Sequence, residues 1–131
     1  MKTDLKPQQI NAITEKVICC ANKVSNKLGS GFLEKVYENA LALEIQMAGL
    51  KVEQQHPIQI YNEGTMVGDY TSDLLVEGCV INEIKTVTAL NNIHQAQCLN
   101  YLKATGFQVC LLVNFYNPKV EIKRIVNNFP L

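Results

Sequence analysis

Apolar residues recur at helical spacing in the first third of the chain. Between residues 7 and 28 they fall three or four positions apart, which predicts one amphipathic helix. Its apolar face comprises Ile10, Ile13, Val17, Ala21, Val24 and Leu28. Pro7 suits the first turn of that helix, and Gly29 and Gly31 end it. A second helix is predicted over residues 33–48, with Gly49 at its end.

The pattern changes to strands after Gly49. Strands are predicted over residues 51–61, 65–76 and 79–86, because turn residues at 62–64 and 77–78 separate runs rich in apolar positions. Pro57 marks an edge or a bulge in the first of these strands. The sequence therefore predicts a three-strand meander in the middle of the chain.

The last third returns to a helix and then to strands. A helix is predicted over residues 91–105, capped by Gly106, and the stretch 107–115, with its continuous apolar run over 109–113, predicts a strand covered on both faces. A short strand over 120–125 follows. A helix between the third and fourth strands permits a parallel crossover. We therefore expect an α/β fold in one domain over residues 1–131, with a mixed central sheet flanked by helices.

Composition narrows the class of protein. The 131 residues carry a formal net charge of zero and 18% charged residues, which is typical of a globular domain and counts against a strongly basic nucleic-acid binder. Charge segregated on the surface remains compatible with nucleic acid. No run reaches the ~20 apolar residues of a membrane span, and residues 1–6 do not resemble a signal peptide. The expected location is the cytoplasm, with no membrane association.

The cysteines are odd in number and lie in apolar contexts, without a C-x-x-C pair. They are Cys19, Cys20, Cys79, Cys98 and Cys110. We expect reduced core thiols and no cysteine-ligated zinc, because the spacing of zinc ligands is missing.

Two carboxylates and an amine interrupt the predicted strands at Asp73, Glu83 and Lys85. Glu83 and Lys85 lie two apart and share a face of one strand, and the turn at 77–78 brings Asp73 close to them. Such groups are costly to bury without a partner or a purpose. Carboxylates suit Mg²⁺ or Mn²⁺, and Lys85 could stabilise charge or position the attacking water. The alternative is an ion pair of Lys85 with Glu83 or Asp73, which this short pattern alone favours.

Polar residues on the third predicted helix extend the candidate site. His94, Gln97 and Tyr101 fall at i, i+3 and i+7 on one face. We interpret them as substrate-binding residues: Gln97 could hold a phosphate or a water on the metal, and Tyr101 could stack or donate to a phosphate. Alone, they equally describe a polar helix surface with a tyrosine at its rim.

Glu34 opens the second predicted helix. A glutamate in the first turn is common because of the helix dipole. The functional interpretation is a further acidic metal ligand or a carboxylate that orients water. Its neighbours Lys35 and Glu38 are expected to be exposed.

Several motifs together resemble a known family. Gly31-x-x-Glu34-x-x-Tyr37 is similar to the signature of the GxxExxY family of small bacterial and archaeal proteins, and the likeness continues through residues 70–76, 82–85, 94–103, 111–115 and 123–125. That family is grouped with the PD-(D/E)XK nuclease-like superfamily. The resemblance implies a restriction-endonuclease-like αβββαβ core with a metal site at its sheet.

The resemblance also assigns roles residue by residue. Asp73 resembles the metal-binding Asp, and Glu83 and Lys85 resemble the E-x-K pair. Ser72 stands where the motif has Pro, which contributes no ligand. The main-chain carbonyl of Ile84 is a further candidate ligand.

The helices carry the remaining correspondences. Glu34 resembles the acidic residue of the first core helix, and Gln97 with Tyr101 resembles the Q-x-x-x-Y element of the exonuclease-like branch.

The leading hypothesis is a Mg²⁺- or Mn²⁺-dependent nuclease acting on nucleic acid, DNA rather than RNA. Its catalytic residues are Glu34, Asp73, Glu83 and Lys85. The alternatives are a catalytically inactive nucleic-acid-binding or regulatory module on the nuclease fold, and a subunit of a larger assembly. A homodimer or a partner protein is left open, because the apolar tail 125–131 could cover a partner as well as its own core.

Overall fold

The computed structural model describes residues 5–130 and has three helices and five strands there. The helices are α1 (Pro7–Leu28), α2 (Glu34–Met47) and α3 (Asn92–Thr105). The strands are β1 (Val52–Asn62), β2 (Thr65–Val76), β3 (Val80–Lys85), β4 (Val109–Asn114) and β5 (Glu121–Val126). Their order along the chain is the predicted one, and the boundaries differ by at most a few residues.

The strands form one sheet in the order β1-β2-β3-β4-β5. All neighbours are antiparallel except β3 and β4, which run parallel because α3 carries the chain back across the sheet. The predicted mixed sheet flanked by helices is confirmed. That the chain is one domain stays a prediction.

Helices cover both faces of the sheet and bury two apolar clusters. On one face, α1 and α2 pack over residues that include Leu74, Val80 and Ile84. On the other face, α3 packs over residues that include Leu75 and Ile81. Because side chains alternate along β3, its acid and its lysine fall on the α3 face with Ile81.

The connection between α1 and α2 is fixed by Tyr37. Its ring is buried and stacks on Phe115, just after β4, with ring centroids 4.7 Å apart. Its hydroxyl donates to the Gly29 carbonyl at 2.6 Å and accepts the Phe32 N–H at 3.2 Å. This anchoring places Glu34, one turn earlier, at the end of the sheet.

The sheet splits between β2 and β3. The two strands share three paired positions: Leu74 with Asn82, Leu75 with Ile81, and Val76 with Val80. Towards the start of β2 the strands separate, while β2 stays paired with β1. We call this point the fork.

Three details differ from or extend the expectations. Glu38 is buried, with 4% of its surface exposed, so the prediction that it is exposed is wrong. Cys19 is exposed, so the prediction that it is a core thiol is wrong, whereas the other four cysteines are buried free thiols. Phe129 of the tail packs into the protein's own core. Residues 1–4 and Leu131, which belong to the predicted terminal segments, lie outside the described residues.

Candidate active site

Asp73 and Glu83 face each other across the fork. The main-chain N–H of Asp73 donates to Oε2 of Glu83 at 3.1 Å, and the N–H of Ile84 donates to Oδ2 of Asp73 at 2.7 Å. Each carboxylate thus accepts a hydrogen bond from a main-chain N–H group of the opposite strand. These bonds satisfy donors that the ended ladder leaves without a strand partner. The predicted hairpin does bring the two acids together.

Both carboxyl groups hold their protons more tightly than usual. Burial raises the pKa of Glu83 to about 8, and the charge of Asp73 adds to the rise. Burial also raises the pKa of Asp73, against the effect of the Ile84 N–H. Two neighbouring carboxyl groups that are shielded from water favour the binding of a cation, because its positive charge stabilises their ionised forms.

Lys85 lies beside the acids without pairing to them. Among residues 5–130 its ammonium makes no ion pair within 4.0 Å of either carboxylate. Its Nζ donates instead to Oε1 of Gln97 at 3.4 Å, while its charge lowers the pKa of Asp73 and Glu83. The alternative of an ion pair at the strand end is therefore wrong in this structure.

The α3 side of the site is a short hydrogen-bonded chain. Nε2 of Gln97 donates to the Tyr101 hydroxyl at 3.0 Å, which joins Tyr101 through Gln97 to Lys85. Burial, and next the charge of Glu83, raise the pKa of Tyr101 to about 12. Tyr101 as a whole is 6% exposed, so its ring has little surface open to stacking by a ligand.

His94 lies apart from that chain. The ring Nδ1 of His94 accepts a hydrogen bond from the main-chain N–H of Asn91 at 3.2 Å, and the main-chain N–H of His94 donates to Oδ1 of Asn91 at 3.1 Å. These reciprocal bonds form a capping box at the start of α3. A substrate-binding role for His94 stays a prediction.

Glu34 approaches the site from the other helix layer. Although its side chain is exposed, desolvation at the end of the sheet raises its pKa. The charge of Lys85 lowers this pKa and that of Asp73 raises it, and a hydrogen bond to the Thr86 main chain favours the ionised form. The structure thus brings Glu34 within electrostatic range of the fork.

Glu38 is a site neighbour that the sequence analysis missed. Its carboxylate accepts Nε2 of Gln54 at 2.8 Å, Nε2 of Gln55 at 3.0 Å and Nζ of Lys35 at 3.0 Å. Gln55 has a left-handed backbone, with φ 56°, in the part of β1 beside Asp73. Glu38 therefore holds the kinked strand next to Asp73, whose pKa its charge raises. Its position four residues after Glu34 was the available signal.

Asn114 is the second residue that was missed. It is fully buried, accepts the Val87 N–H at 3.0 Å and donates to the Val87 carbonyl at 2.8 Å. Beside it, the Phe115 N–H donates to the Lys85 carbonyl at 2.9 Å. These bonds fix the chain that leaves β3. The signal in the sequence was the single amide side chain of Asn114 at the end of an apolar strand.

The donor set fits Mg²⁺ or Mn²⁺. Within residues 5–130, no three His, Cys, Asp or Glu side chains converge as a metal cage. Mg²⁺ commonly takes only one or two carboxylates and completes its shell with water and substrate phosphate. Because the Lys85 carbonyl is directed to the β4 side, the preceding carbonyl of Ile84 is directed to the fork. Asp73, Glu83 and this carbonyl provide hard oxygen ligands at one place.

Comparisons with known proteins agree with this geometry. A model of the PD-(D/E)XK nuclease superfamily matches residues 11–125. No curated protein matches the chain. An alkaline exonuclease (LHK-Exo) from Laribacter hongkongensis is 19% identical over 85% of this chain and 69% of its own, with a TM-score of 0.53. The structure of SSO0001 is 18% identical, with a TM-score of 0.57 over 95% of this chain.

The chain spans 63% of the length of SSO0001, and at these identities both structures show the fold alone. No helix among residues 5–130 has the length and apolar character that crossing a bilayer requires. The cytoplasmic location stays a prediction. The superfamily match covers most of the chain and includes the fork and both of its acids. The chain therefore belongs to the PD-(D/E)XK nuclease superfamily, whose members generally use divalent metal ions.

Proposed function

We propose that this protein is a Mg²⁺- or Mn²⁺-dependent nuclease that hydrolyses phosphodiester bonds, in DNA rather than RNA. The observation that carries the proposal is the fork, where Asp73 and Glu83 meet with Lys85 beside them and unpaired to either. A structural lysine next to two carboxylates would form an ion pair with one of them. The position of Lys85 leaves its charge available to a substrate phosphate.

Asp73, Glu83 and the Ile84 carbonyl would hold the metal, with Glu34 as a further acidic ligand or an orienting carboxylate. The ion supplies Lewis-acid activation of water and of a phosphoryl oxygen when it is bound. Its charge would also offset the burial and the neighbouring negative charges, of Glu38 for Asp73 and of Asp73 for Glu83, that raise the pKa of both fork acids.

The protein's own groups would then act on the substrate phosphate. Lys85 stabilises negative charge that builds on the phosphoryl oxygens, or positions the attacking water. Gln97 restrains the Lys85 ammonium through a 3.4 Å contact and is itself held by Tyr101. The hydroxyl of Tyr101 keeps its proton at neutral pH and is available as a donor to a phosphate oxygen.

We further propose that the chain is of the GxxExxY branch. The arrangement of Tyr37 supports this: its buried hydroxyl ties down the Gly29–Phe32 segment, and the same turn of helix presents Glu34 to the site. The signature glutamate and tyrosine thus have separate tasks, one electrostatic and one structural.

The test is a cleavage assay on end-labelled single- and double-stranded DNA and RNA, with Mn²⁺, Mg²⁺ or EDTA. We expect the parent protein to cut DNA with a divalent ion and not with EDTA. Lys85→Ala and Asp73→Ala should each lower the rate by about 10²-fold or more, since each removes a group that acts on charge in the transition state.

Asp69→Asn is a suitable control, because Asp69 lies exposed on the same strand as Asp73 and outside the fork. Lys16→Ala, on the exposed side of α1, is the matched control for Lys85. Circular dichroism would establish that each variant is folded. Metal-dependent cleavage that survives both site substitutions would overturn the proposal.

A non-catalytic nucleic-acid-binding module is the second candidate. The specific observation in its favour is that both fork carboxylates also hold main-chain N–H groups, and so have a structural use that needs no chemistry. Binding that falls with salt, is unaffected by EDTA and yields no product would support this module over the nuclease.

For the assembly alternative, the exposed apolar residues at and before α2 provide contact surface. Leu33, Leu43 and Met47 are all exposed there. Light scattering over a range of protein concentrations tests this candidate, and a monomer throughout would exclude self-association.

A further inference from the structure

A cavity of about 730 Å³ lies between the β1–β2 hairpin and the outer face of α3. Its size is within the range of about 300–1,000 Å³ found for small-molecule pockets. Ile60 and Tyr70 form the hairpin wall, and Ile93, Gln97 and Asn100 contribute from α3. The α3 residues lie three or four positions apart, so the cavity runs along one face of that helix.

Tyr70 presents an aromatic surface to this cavity. Its side chain is 52% exposed, and its ring packs against Tyr101 with centroids 5.9 Å apart. Gly68 leaves room for that ring, because a Cβ at this position would lie 3.0 Å from Cε2 of Tyr70 and 3.2 Å from Cγ1 of Ile60. Tyr70 is thus held from one side by Gly68 and from another by Tyr101, with part of its ring open.

The cavity borders the candidate active site at Gln97. This residue lines the cavity and also accepts a hydrogen bond from the Lys85 ammonium, so a strand with a phosphate at Lys85 would have its neighbouring nucleotide close to the cavity. Asn100 offers amide donors and an acceptor to a base edge. Lys103 is exposed, lines the same cavity and has no ion-pair partner among residues 5–130, which suits a neighbouring phosphate.

We propose that this cavity binds an unpaired nucleobase of the substrate strand, stacked on Tyr70. The inference rests on the proposed function in that it takes nucleic acid as the substrate, and it specifies a substrate with single-stranded character next to the cut. Bases within a duplex are stacked on each other and do not offer a face to a protein ring. An exposed aromatic ring flanked by apolar walls, an amide and a lysine therefore selects an unpaired base.

The test measures binding and cleavage separately. Binding of a fluorescent single-stranded oligonucleotide, and of a blunt duplex of the same sequence, would be followed by anisotropy in Ca²⁺. Cleavage of both would be followed in Mn²⁺. Tyr70→Ala should weaken single-strand binding by roughly 5- to 150-fold, the range that corresponds to loss of one base–aromatic stack. Tyr70→Trp should retain binding, and duplex binding should change by less than about twofold in either variant.

Two further variants make the test specific. Tyr61→Ala is the matched control, since Tyr61 is exposed on the same hairpin but does not line the cavity. Gly68→Ala should weaken single-strand binding less than Tyr70→Ala does, because its methyl group makes the Tyr70 ring and Ile60 move by about a few tenths of an ångström and leaves the ring in place. Thermal melting would establish that each variant is folded. A 5-iodouridine oligonucleotide should crosslink to Tyr70 on irradiation, and mapping the crosslink by mass spectrometry identifies the residue independently of affinity.

The outcomes separate this inference from the proposed function. A protein that cuts DNA, yet binds single strands equally well with Tyr70→Ala and Tyr61→Ala, retains its nuclease assignment and overturns the stacking site. A protein that cuts nothing, yet has its single-strand binding weakened only by Tyr70→Ala and, to a lesser extent, by Gly68→Ala, retains the stacking site and overturns the nuclease. Equal affinity of the parent for the single strand and the duplex, with no crosslink at Tyr70, also overturns the stacking site.

Discussion

β3 and β4 are neighbouring parallel strands of six residues each, and they differ in what they bury. Every residue of β4 is buried, and all are apolar apart from the terminal Asn114. β3 is as deeply buried up to its last residue, yet it carries Asn82, Glu83 and Lys85. β4 shows what the centre of this sheet looks like when only packing matters.

The register makes the comparison specific. Glu83 lies beside Leu112, and Lys85 lies beside Asn114. A buried leucine stabilises the sheet by removing apolar surface from water, whereas a buried acid with a raised pKa costs stability when it ionises. β3 therefore gives up stability at the position where β4 gains it. Packing alone does not account for that difference, because Glu83 also accepts the hydrogen bond of the Asp73 N–H and carries an ionisable group at the fork.

The largest effect is expected from Lys85→Met, which removes the charge and keeps most of the side-chain volume. We expect the cleavage rate to fall by about 10²- to 10³-fold, because a charge that stabilises the transition state is lost. The free energy of unfolding should change by less than about 1 kcal/mol, since Lys85 has no ion pair to lose among residues 5–130 and its hydrogen bond to Gln97 is long, at 3.4 Å. Single-turnover cleavage and urea unfolding measure the two quantities. A large loss of stability with unchanged cleavage would reverse the functional interpretation of β3.

The next effect is expected on β4. Leu112→Ala should lower the free energy of unfolding by about 2–5 kcal/mol, because Leu112 is fully buried in the α3-side cluster and its truncation leaves a cavity. Urea unfolding at fixed pH is the measurement. The catalytic constants of the folded variant should stay within a few-fold of the parent. A loss of less than about 1 kcal/mol in the free energy of unfolding would show that β4 contributes less to stability by packing than its complete burial indicates.

Glu83 predicts a pH dependence of stability. Its pKa is about 8 in the folded protein and close to 4.5 when unfolded, so the folded state retains a proton that the unfolded state releases. The stabilising contribution of the Glu83 proton to the free energy of unfolding is fully present below about pH 4.5 and is lost as the pH rises to about 8. Linkage gives this loss a slope that approaches ~1.4 kcal/mol per pH unit. Urea unfolding of the parent in EDTA, between pH 5 and 8, tests this.

Glu83→Gln is the matched comparison, because the amide oxygen can still accept the Asp73 N–H and carries no charge at any pH. Subtracting its pH profile from the parent's removes the other titrating groups. Mn²⁺ should reduce the parent's slope, since it favours the ionised carboxylate, and should leave the variant unaffected. Parallel profiles for the two proteins in EDTA would contradict the raised pKa.

The smallest effect is expected at Asn82. Its side chain is fully buried, and its Oδ1 has no hydrogen-bond partner among residues 5–130. Asn82→Val should raise the free energy of unfolding by up to about 1 kcal/mol, because it removes an unsatisfied acceptor and suits a strand. A shift in the urea midpoint measures this. A loss of stability would show that the amide, whose Nδ2 donates to the Val80 carbonyl, is worth more than its unpaired oxygen costs.

The sequence predicted the elements, their order and the meeting of Asp73 with Glu83, because hydrophobic periodicity and one short turn determine these features. The roles of individual side chains on α3 depended on packing. Tyr101 turned out to be buried and Tyr70 exposed, although both are tyrosines beside the same site. The capping use of His94 follows from the local geometry of the α3 N-terminus.

Glu38 was missed for a related reason. Its burial requires two glutamines from a kinked strand that is distant in sequence, and the spacing along α2, which places Glu38 one turn after Glu34, does not identify those partners. The same holds for the missing ion pair of Lys85, because spacing along β3 fixes the face of the lysine but not the direction of its ammonium.

The reciprocal bonds at the fork have a consequence for how this protein evolves. Because Asp73 and Glu83 each hold the other strand's main chain, a descendant that no longer cuts nucleic acid would still be penalised for losing either acid. Lys85 offers no such bond and would be free to drift. On the proposed function, we therefore expect the lysine to be the informative residue among relatives of this protein: its loss would mark a lineage that has abandoned catalysis, while the two acids would persist in active and inactive lineages alike.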